Sequence, residues 1–264
     1  SLLFDEDGRN YIVYGNDEIW ITELNEDLTA PKKDGLHRLL VSDHKNPELG
    51  YEGSHIQKIN GYYYIFLIHS LRDRWMRTEA CFYSDSLEGE FTGGDVLCDD
   101  RGYCGQGVAQ GGIVDTPDGK WYAMLFQDSG AVGRIPILLP VTWKDHFPFF
   151  GQNGHVPEEI EVHSTRPGYI YQPLVGSDDF CNGLLPRWQF NHDPDPRYYH
   201  LDALQGTYTI TTREVCTELT QAVNTLTQRM SYPSCAAEVT VDASALKEGD
   251  VAGLCALQSC YAAV

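Results

Sequence analysis

Three segments of this chain align without a gap, and a repeat of that length restricts the fold more than any other feature. Ser1–Gly8 (SLLFDEDG), Ser54–Gly61 (SHIQKING) and Gly112–Gly119 (GIVDTPDG) each close on a glycine, and Tyr11, Tyr64 and Tyr122 follow in step. The glycines recur about every 50 to 60 residues, the spacing of propeller blades rather than of helical solenoids. Two residues upstream of the repeat stand Glu52 in the second copy and Gln110 in the third. A position that recurs in space while its chemistry changes is a candidate site position.

Strand patterns dominate. Tyr11–Tyr14, Tyr62–Ile68, Ala80–Tyr83 and Trp121–Phe126 are β-branched and aromatic runs bounded by turn residues, and Glu18–Glu23 supplies a further strand. Asp7-Gly8, Asn60-Gly61 and Asp118-Gly119 are hairpin signals, because tight hairpin turns need positive φ. No amphipathic helix longer than about two turns is predicted. Near residue 150 the texture changes, and Ser164–Gly168 reads as a linker. Beyond it Tyr208–Thr212 and Ala237–Val241 alternate as half-buried strands do. The chain is therefore expected to be all-β, with one domain over 1–165 and a second over 166–264.

A net charge of −19 argues against a nucleic-acid partner, which needs a basic face. No apolar run approaches the roughly 20 residues of a membrane-spanning helix. Eight cysteines without a CxxC pair or zinc-finger spacing read as free thiols, with Cys81 and Cys255 in apolar strand patterns. The chain opens without Met inside a strand pattern and stops in the apolar run Cys260–Val264, so it reads as an internal fragment. Its compartment stays open between secreted and cytoplasmic, and its oligomeric state is not encoded in any feature of the sequence.

In a propeller the innermost strand of each blade lines the central axis. Glu52 and Gln110 should therefore face a common cavity. A carboxyl group partly desolvated in such a funnel would have its pKa raised, as a general acid requires. The repeat alone equally allows Glu52 a structural hydrogen-bonding role. Arg134, between Gly133 and Ile135-Pro136, is expected on a constrained turn after a strand. Its planar fork could clamp hydroxyls or a carboxylate, and a surface ion pair is the plainer alternative. Gly105–Gly111 has the look of a phosphate loop, but a strand pattern follows it rather than a helix. His192-Asp-Pro-Asp195 reads as a polar loop in preference to a metal site.

The segments Glu52–Tyr64 (EGSHIQKINGYYY), Gln110–Thr116 (QGGIVDT), Gly133-Arg134 and Pro140–Phe149 resemble glycoside hydrolase family 43. Arg187–Asp195, Asn224–Arg229 and Gly249–Leu254 resemble the β-sandwich that follows the propeller in xylosidase-like members. The resemblance implies a partial five-bladed β-propeller lacking its first blade, followed by a truncated concanavalin-like β-sandwich. It implies hydrolysis of β-xylosidic or α-L-arabinofuranosidic bonds in xylo- or arabino-oligosaccharides, with inversion. Glu52 matches the family's general acid and Arg134 its substrate-binding arginine. Gln110 falls where many members carry a histidine near the axis, often linked to calcium, and the carboxamide argues against that ion, so no cofactor is expected. The catalytic base and a pKa-tuning Asp would lie outside the chain. Asp5 and Asp7 belong to a hairpin turn, and the fragment alone should be inactive. The rival reading is a non-catalytic sugar-binding protein, against which Glu52 and Arg134 speak.

Overall fold

The computed structural model describes residues 1–231, 234–258 and 260–264. Residues 1–163 and 164–264 form two separate units.

The first unit is three four-stranded antiparallel sheets, each a meander in sequence order. Blade one comprises β1 (Leu2–Phe4), β2 (Asn10–Tyr14), β3 (Glu18–Leu24) and β4 (His37–Ser42). Blade two comprises β5 (Glu52–Ile59), β6 (Tyr62–Ser70), β7 (Arg77–Ser84) and β8 (Thr92–Leu97). Blade three comprises β9 (Ala109–Asp115), β10 (Trp121–Asp128), β11 (Arg134–Lys144) and β12 (Phe147–Phe150). The first strands are cross-linked by side chains. Ser1 Oγ accepts the Ile56 N–H at 3.0 Å, and Gln57 Nε2 donates to the Ile113 carbonyl at 2.9 Å.

The aligned glycines do the same job in all three copies, with φ of 83°, 85° and 78° at Gly8, Gly61 and Gly119. The turns themselves differ. Asn60 and Gly61 both take positive φ in a two-residue loop that pairs Ile59 with Tyr62. The other two hairpins are one residue longer and closed by Asp5–Arg9 and Thr116–Lys120 backbone bonds. There only the glycine needs the left-handed region.

Strand β6 explains how the blades cohere. Its apolar run buries both faces: Ile65 and Leu67 join Val13, Ile19 and Ile21 toward blade one, while Tyr64 and Phe66 join Leu125, Leu139 and Phe150 toward blade three. Two-residue periodicity sends alternate side chains to opposite cores. Each such fully buried side chain stabilises the fold by about 1.5–3 kcal/mol. The outer blades bury one face only; Leu2, Phe4 and Tyr14 on one, and Val114, Met124 and Phe149 on the other, remain exposed.

Blade one and blade two are also joined by a polar latch. The buried Asp5 accepts Tyr63 Oη at 2.5 Å and Lys58 Nζ at 2.6 Å. Asp5 thus exceeds the turn role expected of it. Burial pushes its carboxyl upward, but the hydrogen bonds from Lys58, Tyr63 and the Glu6 N–H outweigh this and hold it below the ordinary value.

The second unit pairs short strands: β13 (Gln189–Phe190), β14 (Tyr199–Asp202), β15 (Thr207–Ile210), β16 (Leu226–Thr227), β17 (Cys255–Leu257) and β18 (Tyr261–Ala263). The ladders are β13 with β16, β14 with β15, and β17 with β18. Phe180, Trp188, Tyr199 and Tyr208 stack around them, and the buried Asn224 brackets the Asp195 backbone from both sides. Residues 237–241, expected as a strand, are exposed and outside any ladder. Alternation specifies a half-buried face only where a second strand supplies hydrogen-bond partners, and none is paired there among the described residues. Cys81 is buried, whereas Cys255 is only partly so; all eight cysteines are free. The only helical segments among the described residues are two 3₁₀ turns, Gly130–Val132 and Leu219–Gln221.

Candidate active site

The blade meander separates two ends of the first unit. The repeated hairpins sit at one end. At the other, strands begin and end on polar residues: Glu52 opens β5, Ser70 closes β6, Arg77 opens β7, Asp128 closes β10 and Arg134 opens β11. An open cavity of about 390 Å³ lies at this end, lined by Ser1, Val13, Tyr14, Gly15, Gly53, Ser54, His55 and Gln110.

Glu52 is placed by the turn between β2 and β3. Asp17 takes positive φ and bridges to Tyr51, its N–H reaching the Tyr51 carbonyl at 2.9 Å. That docking brings Asn16 to Glu52, and Asn16 Nδ2 donates to Glu52 Oε2 at 3.0 Å. Glu52 adjoins the cavity through Gly53 rather than lining it.

Gln110 does line the cavity. Both first strands are bulged here, β5 between Glu52 and His55 and β9 opposite Met124–Phe126. Bulges redirect side chains beside functional sites. The aligned positions kink differently, however: Gly53 carries the positive φ in β5 (63°), Gln110 itself in β9 (66°). A non-glycine residue in that region is under strain. The two aligned positions therefore differ in backbone conformation, and the Gln110 carboxamide lies over Gly53.

Arg134 opens β11 directly after a 3₁₀ turn and Gly133 (φ 80°), where the sequence suggested a turn residue. Its guanidinium stacks 4.6 Å from the Phe126 ring centroid, and its Nε donates to Asp128 Oδ1 at 3.3 Å. Its side chain is 65% exposed, so the fork remains available to a ligand. Arg77 packs on the same ring at 4.8 Å and pairs with the other Asp128 oxygen. Unlike Arg134 it is buried, at 4% exposure. Burial draws Arg77 below its ordinary value; the negative charges of Asp128 and Glu52 oppose that, and Arg134 reinforces it. Arg77 thus shares both Asp128 and the Phe126 ring with Arg134.

Two residues of this end were not anticipated. Arg77 and Glu79 precede and open the run that reads as a strand from Ala80. Charged side chains at a strand start look like solvated ends, and no local pattern marks them as buried. Glu79 is fully buried and accepts the Gln110 N–H on Oε2 at 2.6 Å. Burial pushes its carboxyl well above the ordinary value, against the Gln110 N–H and the Arg77 charge.

Calcium requires six or more oxygen ligands, with carboxylates prominent among them. Here the Gln110 carboxamide is packed against Gly53, and no group of three His, Cys, Asp or Glu side chains converges among the described residues. These residues do not fit such an ion. At residues 192–195, Asp195 is engaged by Arg197 at 2.7 Å and sits in the polar loop expected.

Consecutive blades whose innermost strands carry polar side chains to one open end define an axial-cavity β-propeller. The glycosyl hydrolases family 43 profile matches residues 1–148, and the β-xylosidase C-terminal concanavalin A-like domain matches residues 177–264. The chain belongs to glycosyl hydrolases family 43. The solved structure of a bifunctional GH43-CE protein from Bacteroides eggerthii is similar at 41% identity and a TM-score of 0.74, covering 88% of this chain and 30% of that one. A β-xylosidase from Formosa agariphila is 28% identical over 60% of this chain and 30% of its own length. A xylosidase/arabinosidase 43B from Humicola insolens is 25% identical over 99% of this chain and 52% of its own. The chain therefore spans between 30% and 52% of these relatives.

Proposed function

We propose that this chain carries the acid half of an inverting glycoside hydrolase acting on β-1,4-xylosidic or α-L-arabinofuranosidic bonds of hemicellulose-derived oligosaccharides. The observation that carries this is the placement of Glu52. It opens the innermost strand of the middle blade, is held by Asn16, and shares its end of the unit with Gln110 and Arg134. The family and the names of the relatives support the class of bond.

Glu52 delivers a proton to the glycosidic oxygen as the bond to the anomeric carbon breaks. Asn16 occupies Oε2 as a donor, leaving the other oxygen free to carry that proton. The base, a carboxylate we place outside these 264 residues, removes a proton from the attacking water on the opposite sugar face. Inversion requires the two carboxyl groups about 6.5–9.5 Å apart. Arg134 donates from its fork to sugar hydroxyls, its orientation set by Asp128 below and Phe126 beside it. Gln110 lines the cavity that Glu52 adjoins through Gly53.

The test is turnover by the complete parent chain of aryl β-D-xylopyranosides and α-L-arabinofuranosides, with Glu52→Gln assayed on xylobiose and arabinosyl oligosaccharides. Loss of about 10²–10⁴ in kcat on the oligosaccharides is expected, since their leaving groups need protonation. Unchanged rates would remove Glu52 from the role. Retained sugar binding without any turnover in the parent would favour the non-catalytic reading.

A further inference from the structure

The buried carboxyl of Glu79 has no place in the acid–base scheme, yet it touches the site. The β7–β8 register shifts between Glu79 and Ala80, and the Glu79 side chain reaches the backbone of β9. The left-handed bulge at Gln110 takes its N–H out of the β9–β10 ladder, whose paired positions skip from Gly112 to Ala109. An interior N–H without an acceptor costs about 1–3 kcal/mol. Glu79 Oε2 accepts it, while Oε1 is buried with no partner among the described residues.

A carboxyl group is an expensive way to fill an interior position if packing is its only purpose. The charged groups facing it are few: Arg77, on its own strand, is the one whose charge reaches it, and Cys81 feels its charge in turn. No cation pairs with it among the described residues. The contact it does make leads straight to the cavity. Gln110 is held by its backbone, its carboxamide rests on Gly53, and Gly53 follows Glu52.

We infer that Glu79 is a positioning residue: it captures the amide freed by the β9 bulge and so fixes the Gln110 carboxamide over Gly53, beside the general acid. The inference rests on the glycosidase reading and deepens it. The bond requires only an acceptor oxygen at residue 79, so a carboxamide in its place can do the same work.

The experiment compares Glu79→Gln and Glu79→Leu in the complete parent chain, alone and in a Gln110→Gly background, with hydrogen exchange read at residue 110. Glu79→Leu should lower kcat by about 10²-fold, the scale of a misplaced site group, with little change in KM. Glu79→Gln should rescue most of that loss and leave the pH profile in place. The penalty of Glu79→Leu should shrink when residue 110 is glycine, which adopts the left-handed region without help. Exchange at residue 110 should be slow in the wild type and Glu79→Gln, and fast in Glu79→Leu. Equal damage from Gln and Leu, an undiminished penalty in the glycine background, or unchanged exchange would each overturn the inference. If the parent hydrolyses no pentoside, the glycosidase reading fails by itself, and exchange at residue 110 still decides whether Glu79 holds that amide.

Discussion

A methyl group at Gly53 would overlap the carboxamide of Gln110, standing 2.8 Å from its Cδ and 2.9 Å from its Cγ. A side chain from the next blade thus rests on the residue after the proposed acid and would have to move for any added methyl. Gly53→Ala should displace Gln110 and also strain a backbone at φ 63°, a conformation costing an L-residue about 1–2 kcal/mol. Gly61→Ala is the control: its φ is 85°, but nothing lies within 4 Å of the added methyl. Both variants should lose comparable backbone stability in urea titrations. Only Gly53→Ala should also lose turnover, and equal kinetics would show that the contact is incidental.

Arg134 is predicted to act in binding. Its side chain is 65% exposed, and Asp128 keeps Arg77 as a partner when Arg134 changes. Arg134→Lys removes the planar fork and should raise KM about tenfold, equivalent to 1.4 kcal/mol. Stability should move by no more than about 0.5 kcal/mol, as for other exposed positions. Steady-state kinetics beside a thermal melt checks this; a fall in kcat at unchanged KM would contradict it.

The latch between blades one and two should be acid-sensitive. The Asp5 carboxyl lies below its ordinary value of 3.8 in the folded chain. Its contribution is therefore complete above the unfolded value and disappears as pH falls through the lower folded one. Asp5→Asn leaves Lys58 and Tyr63 facing a neutral group and should destabilise the fold at neutral pH. Denaturant midpoints taken from neutrality into acid should then fall less steeply for the variant than for the wild type. Parallel curves would mean that the latch contributes little.

Glu79 should have the opposite sign. Its folded value is raised, so the native state holds its proton more tightly than the unfolded chain does. Stability from this group is full below the ordinary value of 4.5 and declines as pH rises from there toward the raised folded value. Glu79→Gln cannot ionise and should be more resistant to alkaline unfolding than the wild type. Identical alkaline transitions would show that Glu79 is charged in the folded chain.

Much of this was legible because propeller blades are local. The hairpin glycines, the aromatic strand runs and the aligned first strands are encoded within a few residues of one another, and they appear where the periodicity puts them. Glu52 and Gln110 were legible as aligned positions for the same reason. The difference in their kinks was not, because one bulge uses Gly53 and the other forces a glutamine into the left-handed region. Nor was Glu79: its importance comes from an N–H on another blade, and burial of a lone acid leaves no trace in its own neighbours. The same holds for Arg77, whose ion pair with Asp128 spans two blades. In the second unit, alternation at 237–241 had no partner strand to make it a ladder.

Every strand of the three blades pairs with its neighbour in sequence, and blades meet mainly through side chains. Such contacts close short loops first, which keeps the entropic barrier of each sheet low. Blade two, whose β6 feeds both cores, is then the element that couples blade one to blade three. Substitutions at Ile65 should loosen the first of these seams and those at Phe66 the second, each leaving the other in place.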